Sequence, residues 1–267
     1  MKVLVIGVGN MGMTYAEGMA ASPLLDGRKL MVYDISTEKM SLLRGMKIFD
    51  VYESLEACLP QAELIFLVVK PYQCPELFKT IKPLLKPEQL VISLMAGVSI
   101  KSIQEGLGIQ KVVRTMPNLP AQVGKGITTY TEAQEVTKEE LAKVRELLNT
   151  TGKSIKVENE TFIDASTGIS GSGPAYVFYF MQSMIEAALR MGFSEQDSRL
   201  LVSQTFEGAV ALFNNHDLSP ETWMERVASK GGTTRAALDH LEQHQVKESI
   251  MDAAQAAFQR AVELGKE

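Results

Sequence analysis

Cysteine is nearly absent from this sequence: two residues, Cys58 and Cys74, in 267. Two thiols without metal-type spacing exclude a zinc-binding ribbon and a disulfide-stapled scaffold. They read as buried or incidental groups in a reducing compartment. Histidine is almost as scarce, with three residues. His240 and His244 stand four apart on a helix face, but no third ligand and no HExxH glutamate accompany them. A solvated face is the reading, not a metal centre. His216 is alone, and no Ser-His-Asp set can be assembled. Positive charge is not in excess. The formal net charge of −5 argues against nucleic acid or an anionic membrane as a partner. Long apolar runs are missing too. The first run stops at glycines within a few residues, too short for a signal peptide. The most apolar later stretch, Ala175 to Leu189, is interrupted by Gln182 and Glu186, which argues against a membrane span. A cytoplasmic protein is expected.

What is present is an ordinary globular composition. At 45% hydrophobic and 22% charged, the chain can bury a sizeable core in one large domain or two ordinary ones. Its first half alternates two patterns. Val3–Ile6, Leu30–Tyr33, the apolar run within Glu63–Val69, Leu90–Leu94, Lys111–Arg114 and Ile127–Tyr130 read as strands. Helix-period segments lie between them, for example Cys74 to Leu85. Thr137-Lys138-Glu139-Glu140 is a capping box that opens a helix to about Leu148, and Ser154–Val157 is a closing strand. Strands alternating with helices predict a mostly parallel, doubly wound α/β sheet. After Glu160 the strand patterns vanish. Pro174 and Gly192 bracket one helix. Ser194 and Ser219 cap two more, and Thr234–Glu242 and Val246–Leu264 complete an all-α region. The domains expected are 1–160 and 161–267.

One of these helices is apolar on nearly every face: Tyr176, Val177, Phe178, Tyr179, Phe180, Met181, Met184 and Ile185. Such a helix is buried on all sides, and about one hundred residues struggle to surround it. An obligate dimer with interleaved helical domains is expected. The alternative is a central core helix in a monomer.

The chemistry begins where Val3–Ile6 runs into Gly7-Val8-Gly9-Asn10-Met11-Gly12. A strand, a G-x-G-x-x-G loop and a helix start, in that order, form a dinucleotide-binding fingerprint. Gly7 permits the tight turn, Gly9 lets a pyrophosphate approach, and Gly12 lets the helix pack on the strand. The helix N-terminus offers N–H groups and partial positive charge. Asp34 ends the second strand about twenty residues on, where a carboxylate binds the adenosine ribose and repels a 2′-phosphate. Taken alone it favours NADH over NADPH. Ser36, Thr37 and Lys39, which follow, are equipped to hold a phosphate instead, and an ordinary turn residue is the plain alternative for Asp34. Val68-Val69-Lys70-Pro71 ends a buried strand at the ligand-binding edge, with Lys70 placed toward the nicotinamide half. Arg114-Thr115-Met116-Pro117-Asn118 ends another strand at that edge and looks more like a site than a surface loop. Ile169–Tyr176 contains Ser170-Gly171-Ser172-Gly173, small residues that permit close backbone approach to a bound molecule or tight packing between domains. Ser229-Lys230-Gly231-Gly232-Thr233-Thr234 precedes a helix and is a candidate carboxylate nest, or a helix-connecting turn with threonine caps.

Taken together, these motifs resemble the pyrroline-5-carboxylate reductase family. The similarity covers nearly the whole chain in motif order. Gly7–Gly12 with Asn10-Met11, Val69-Lys70-Pro71, Arg114-x-Met116-Pro117-Asn118, Ser170–Tyr176 and Gly231–Thr234 carry it, the last two most specifically. The resemblance implies a Rossmann domain, a helical dimerisation domain, and often a decamer of five dimers whose active sites draw on both subunits. It implies NADP(H) or NAD(H) contacts at Gly7, Val8, Gly9, Asn10, Met11, Gly12, Asp34, Ser36, Ser54, Val68, Val69, Lys70, Pro71, Met95, Ala96 and Asn118. It implies substrate contacts at Ser172, Ser229, Gly231, Gly232, Thr233 and Thr234. The reaction implied is hydride transfer to the C=N carbon of 1-pyrroline-5-carboxylate, giving L-proline. A protonated imine is already electrophilic, so no covalent catalyst is needed and positioning suffices. Ser229, Gly232 and Thr233 would clamp the carboxylate, and Thr234 would hydrogen-bond the ring nitrogen. The family usually carries proline where this chain has Lys230, which leaves the loop less preorganised. Two rivals remain: a β-hydroxyacid dehydrogenase, disfavoured because Ser170–Phe180 contains no lysine, and a cofactor-binding regulator without turnover.

Overall fold

Apolar residues on both faces of the strands force the sheet into the middle of a helix sandwich. The computed structural model describes residues 1–265. The strands are β1 (Val3–Ile6), β2 (Leu30–Tyr33), β3 (Phe49–Val51), β4 (Leu64–Leu67), β5 (Leu90–Ser93), β6 (Val112–Met116), β7 (Gly126–Glu132) and β8 (Gly152–Lys156). They form one eight-stranded sheet in the order β3-β2-β1-β4-β5-β6-β7-β8. Neighbours pair in parallel except β6 and β7, which are antiparallel. Helices α1 (Asn10–Ala20), α2 (Thr37–Arg44) and α6 (Lys138–Leu148) contribute Tyr15, Met19, Leu43, Val144 and Leu147 to the core against Val3, Val5, Val32 and Phe66. Helices α3 (Leu55–Cys58), α4 (Cys74–Ile81) and α5 (Ile100–Leu107) contribute Leu55, Phe78, Ile81 and Ile103 against Leu4, Ile6, Ile65 and Val91. Each such side chain, fully buried, contributes about 2 kcal/mol.

The strand order reverses between β1 and β4, the switch point at which open α/β sheets bind ligands. The fold is therefore the expected Rossmann type. Two details depart from the sequence reading. β3 leaves no signal in the sequence, because three residues carry no periodicity. The helix begun at Cys74 stops at Ile81 and tightens into a 3₁₀ turn over Lys82–Leu84, because Pro83 has no N–H to donate.

The chain divides into two compact units, Met1–Ser172 with the chain from Ala256 onward, and Gly173–Gln255. Helix α7 (Glu160–Ser166) and the π-helical turn Thr167–Gly171 pack in the same compact unit as the sheet. Arg114 accounts for this. It is 4% exposed on β6 and pairs with Glu160 at 2.9 Å and Asp164 at 2.6 Å, one turn apart on α7. It is a structural pin, not the site residue its motif suggested. Removing either carboxylate leaves part of a buried charge uncompensated.

The remaining helices are α8 (Gly173–Arg190), α9 (Glu195–Asn215), α10 (Pro220–Val227), α11 (Thr233–Gln243) and α12 (Val246–Leu264). Ser194 and Ser219 cap α9 and α10 as expected. No residue of α8 is buried, and Phe178 and Tyr179 are 58% and 74% exposed. The monomer-core alternative for α8 is therefore wrong: one chain does not cover it. No helix among the described residues is long and apolar enough to cross a membrane.

Candidate active site

The glycine loop is shaped by what its glycines must avoid. Gly7 leaves β1 with φ +92°, and a Cβ there would stand 2.6 Å from the Val68 carbonyl oxygen. Gly12 faces the Gly7 carbonyl so closely that a Cβ would fall 1.9 Å from its oxygen. These two glycines let the chain turn and let α1 seat on the sheet. Gly9 is different: it caps α1 with φ −68° and ψ −170°, no side chain completes the cap, and nothing lies within 4 Å of where its Cβ would be. The first-turn N–H groups of α1 thus face open space over a bare glycine, the arrangement that suits a pyrophosphate.

Asp34 holds this loop. Its side chain is 8% exposed, and it accepts from Val8 N at 2.8 Å and from Ser36 N at 2.9 Å. Lys39 Nζ lies 3.5 Å from the same carboxylate. The group that sequence position assigned to the ribose is thus engaged by backbone donors, with a cation beside it. Ser36 caps α2 by accepting from Lys39 N, and Ser54 caps α3 by accepting from Ala57 N. Both sit just beyond the carboxyl ends of β2 and β3.

Val68 and Val69 follow β4 half-buried beside the glycine loop, and Val68 N donates to Ile6 O at 2.9 Å. Lys70 and Pro71 are exposed at the same edge, and Gln73 folds back to accept from Lys70 N. Ala96 is exposed beyond β5. Met95 is not available as a side chain: it is 1% exposed and its sulfur accepts from Cys74 Sγ at 3.1 Å. Only its backbone can face a ligand. Burial pushes both thiols, Cys58 and Cys74, up to about 11, so neither is a thiolate nucleophile at neutral pH. Asn118 is held at both ends of its amide. It is 8% exposed, accepts from Ile127 N at 2.9 Å and donates to Ser170 O at 3.1 Å. Its amide bridges two protein segments.

The second unit carries Ser229–Thr234. Gly231 adopts φ +71°, a left-handed conformation that favours glycine. A Cβ on Gly232 would meet Ser229 Oγ at 2.5 Å, and Gly232 N donates to Ser229 O at 3.0 Å. Gly232 caps α11 without a side-chain bond. Thr233 and Thr234 therefore open a helix whose first N–H groups are uncapped by any side chain, as the nest reading requires. Lys230 is exposed beside them.

An open doubly wound sheet with a bare glycine cradle at its switch point, followed by an all-helical unit, defines a Rossmann-type dinucleotide-binding protein of the oxidoreductase kind. The comparisons narrow this. Residues 160–264 match the family model described as pyrroline-5-carboxylate reductase dimerisation, and residues 2–97 match one described as NADP oxidoreductase, coenzyme F420-dependent. A pyrroline-5-carboxylate reductase of Pseudomonas aeruginosa is 32% identical over 100% of this chain and 97% of that protein. One of Corynebacterium melassecola is 34% identical over 99% and 98%. A Plasmodium falciparum pyrroline carboxylate reductase, solved with NADP bound, superposes with a TM-score of 0.87 at 30% identity, covering 99% and 98% of the two chains. The chain belongs to the pyrroline-5-carboxylate reductase family.

Proposed function

We propose that this protein reduces 1-pyrroline-5-carboxylate to L-proline, the final step of proline biosynthesis, using NADPH or NADH. The observation that carries the reading is an intact, bare glycine cradle in a chain that aligns end to end with reductases of that name. Bound in the cradle, a reduced nicotinamide dinucleotide supplies the hydride. The chain's own residues bind and orient. Gly9, Asn10, Met11 and Gly12 hold the pyrophosphate with backbone N–H groups. Val68 to Pro71 and the backbone at Met95 and Ala96 line the nicotinamide half, and Ser54, just beyond β3, lies toward the adenosine end. Ser229, Gly231, Gly232 and Thr233 hold the substrate carboxylate at the N-terminus of α11. Thr234 hydrogen-bonds the ring nitrogen as it passes from iminium to amine. Residues 1–160 are proposed as the cofactor domain, and 161–267 as the dimerisation and substrate-binding domain.

Consumption of reduced cofactor on addition of pyrroline-5-carboxylate tests the reading. Tight cofactor binding without turnover would favour a regulatory paralogue instead. Thr234→Val is expected to lower kcat/KM for the imine about thirtyfold, roughly 2 kcal/mol, with the dinucleotide Kd unchanged. Steady-state kinetics beside a fluorescence titration read both. Unchanged kcat/KM would remove Thr234 from the reacting centre.

Asp34 does not by itself dictate NADH. Its carboxylate is satisfied by two backbone donors and faced by Lys39, which is 46% exposed and free to turn toward a 2′-phosphate. Lys39→Ala is expected to raise the KM for NADPH about tenfold, near 1.4 kcal/mol, and that for NADH less than about twofold. Equal effects on both would place cofactor choice elsewhere. The uncovered α8 supports a homodimer, and a decamer of five dimers is proposed with it. A cytoplasmic location is proposed from the reducing-compartment reading of the two free cysteines.

A further inference from the structure

The turn Thr167–Gly171 is π-helical, closed by Ser172 N donating to Thr167 O at 2.8 Å. Wide turns of this kind are rare and need support from outside. Here β6, β7 and the segments that join them supply it at three points. Asn118 Nδ2 donates to Ser170 O at 3.1 Å, and Thr129 Oγ1 and Ser166 Oγ share a hydrogen bond of 2.6 Å. The Met116 methyl lies 3.0 Å from where a Cβ on Gly171 would stand, so Met116 packs closely against the turn. Arg114 clamps α7 just upstream through Glu160 and Asp164. Asn118 is the member that reaches the turn's own backbone. Its other end accepts from Ile127 N, which ties the turn to the start of β7.

We infer that Asn118 is a positioning residue for the pyrroline substrate, not a cofactor contact: by fixing the Ser170 carbonyl it holds Gly171 and Ser172 in the conformation that meets the substrate. This rests on the reductase reading above. It predicts an asymmetry that the motif does not. Dinucleotide binding does not pass through the π turn, whereas imine reduction does.

Asn118→Asp separates the two ends of the amide. The carboxylate still accepts from Ile127 N, but it loses the donor to Ser170 and sets an oxygen against that carbonyl. The expected result is a fall of about tenfold in kcat/KM for pyrroline-5-carboxylate, a dinucleotide Kd within about twofold of wild type by fluorescence titration, and faster amide exchange at Ser172. Asn118→Ala should match the aspartate variant in turnover, because both lose the bond to Ser170. A dinucleotide Kd that rises in step with the loss of turnover would overturn the inference and return Asn118 to the cofactor. So would unchanged exchange at Ser172. The exchange measurement stands whether or not the wild-type protein turns over. A wild type without imine reduction would defeat the reductase reading while the role of Asn118 in the turn is still read directly.

Discussion

Gly9→Ala is expected to fold normally and lose its dinucleotide, while Gly12→Ala loses the fold around the dinucleotide site. The two glycines sit three residues apart and fail for opposite reasons. At Gly12 a Cβ would stand 1.9 Å from the Gly7 carbonyl oxygen. The oxygen belongs to the backbone and a Cβ is fixed rigidly to it, so neither can swing aside, and α1 must lift off the strand. The cost is about 3 kcal/mol or more, a fall in Tm of roughly 6–12 °C for a chain of this size. At Gly9 nothing lies within 4 Å, and φ is −68°, a value alanine adopts freely. Its only structural cost is a weaker N-cap, at most about 1 kcal/mol. The new methyl occupies the space in which the pyrophosphate must approach the N–H groups of α1. Dinucleotide affinity should fall at least about thirtyfold, near 2 kcal/mol. Thermal melts and titrations with NADPH and NADH on both variants check the pair. A Gly9→Ala protein that binds within about threefold of wild type would remove the pyrophosphate from this loop.

The part of the site legible in the sequence is the part made by adjacent residues. The glycine spacing, the strand ends at Asp34 and Lys70, and the serine and threonine caps are local, and the backbone follows them. What sequence order could not deliver was the use each side chain is put to by residues far along the chain. Arg114 and Asn118 stand in one short motif at a strand end, which reads as chemistry. Their partners Glu160, Asp164 and Ser170 lie about fifty residues away and tie both side chains to other parts of the fold. Asp34 was correctly placed at the end of β2, but its hydrogen bond to Val8 N crosses from one strand end to the next, and no spacing rule records it. Met95 sits at a cofactor edge by position and in the core by side chain, because alternate residues past β5 point into opposite faces. Helix α8 is the instructive case: its composition demands burial, and within the chain no residue of it is buried.

That demand leads to the second large effect. Phe178→Glu is expected to yield a folded monomer without reductase activity. In the single chain Phe178 is 58% exposed, so glutamate there meets water and costs the subunit little. In a dimer covered by a second α8, the same carboxylate is buried without a partner, at about 3 kcal/mol or more. A two-fold interface contains the substitution twice. The doubled cost, about 6 kcal/mol, weakens association by roughly four orders of magnitude, so the protein should sediment as a monomer at micromolar concentration. Circular dichroism should stay close to wild type, and dinucleotide binding at Gly7–Gly12 should persist, since that cradle is built within the first unit. Leu42→Glu is the control. Leu42 is 71% exposed on α2 of the first unit, and its replacement should change neither association nor turnover. If wild-type protein itself sediments as a stable monomer and turns over at that concentration, α8 has no partner copy and the dimer proposal falls. If Phe178→Glu stays dimeric, the interface lies elsewhere on the helical unit.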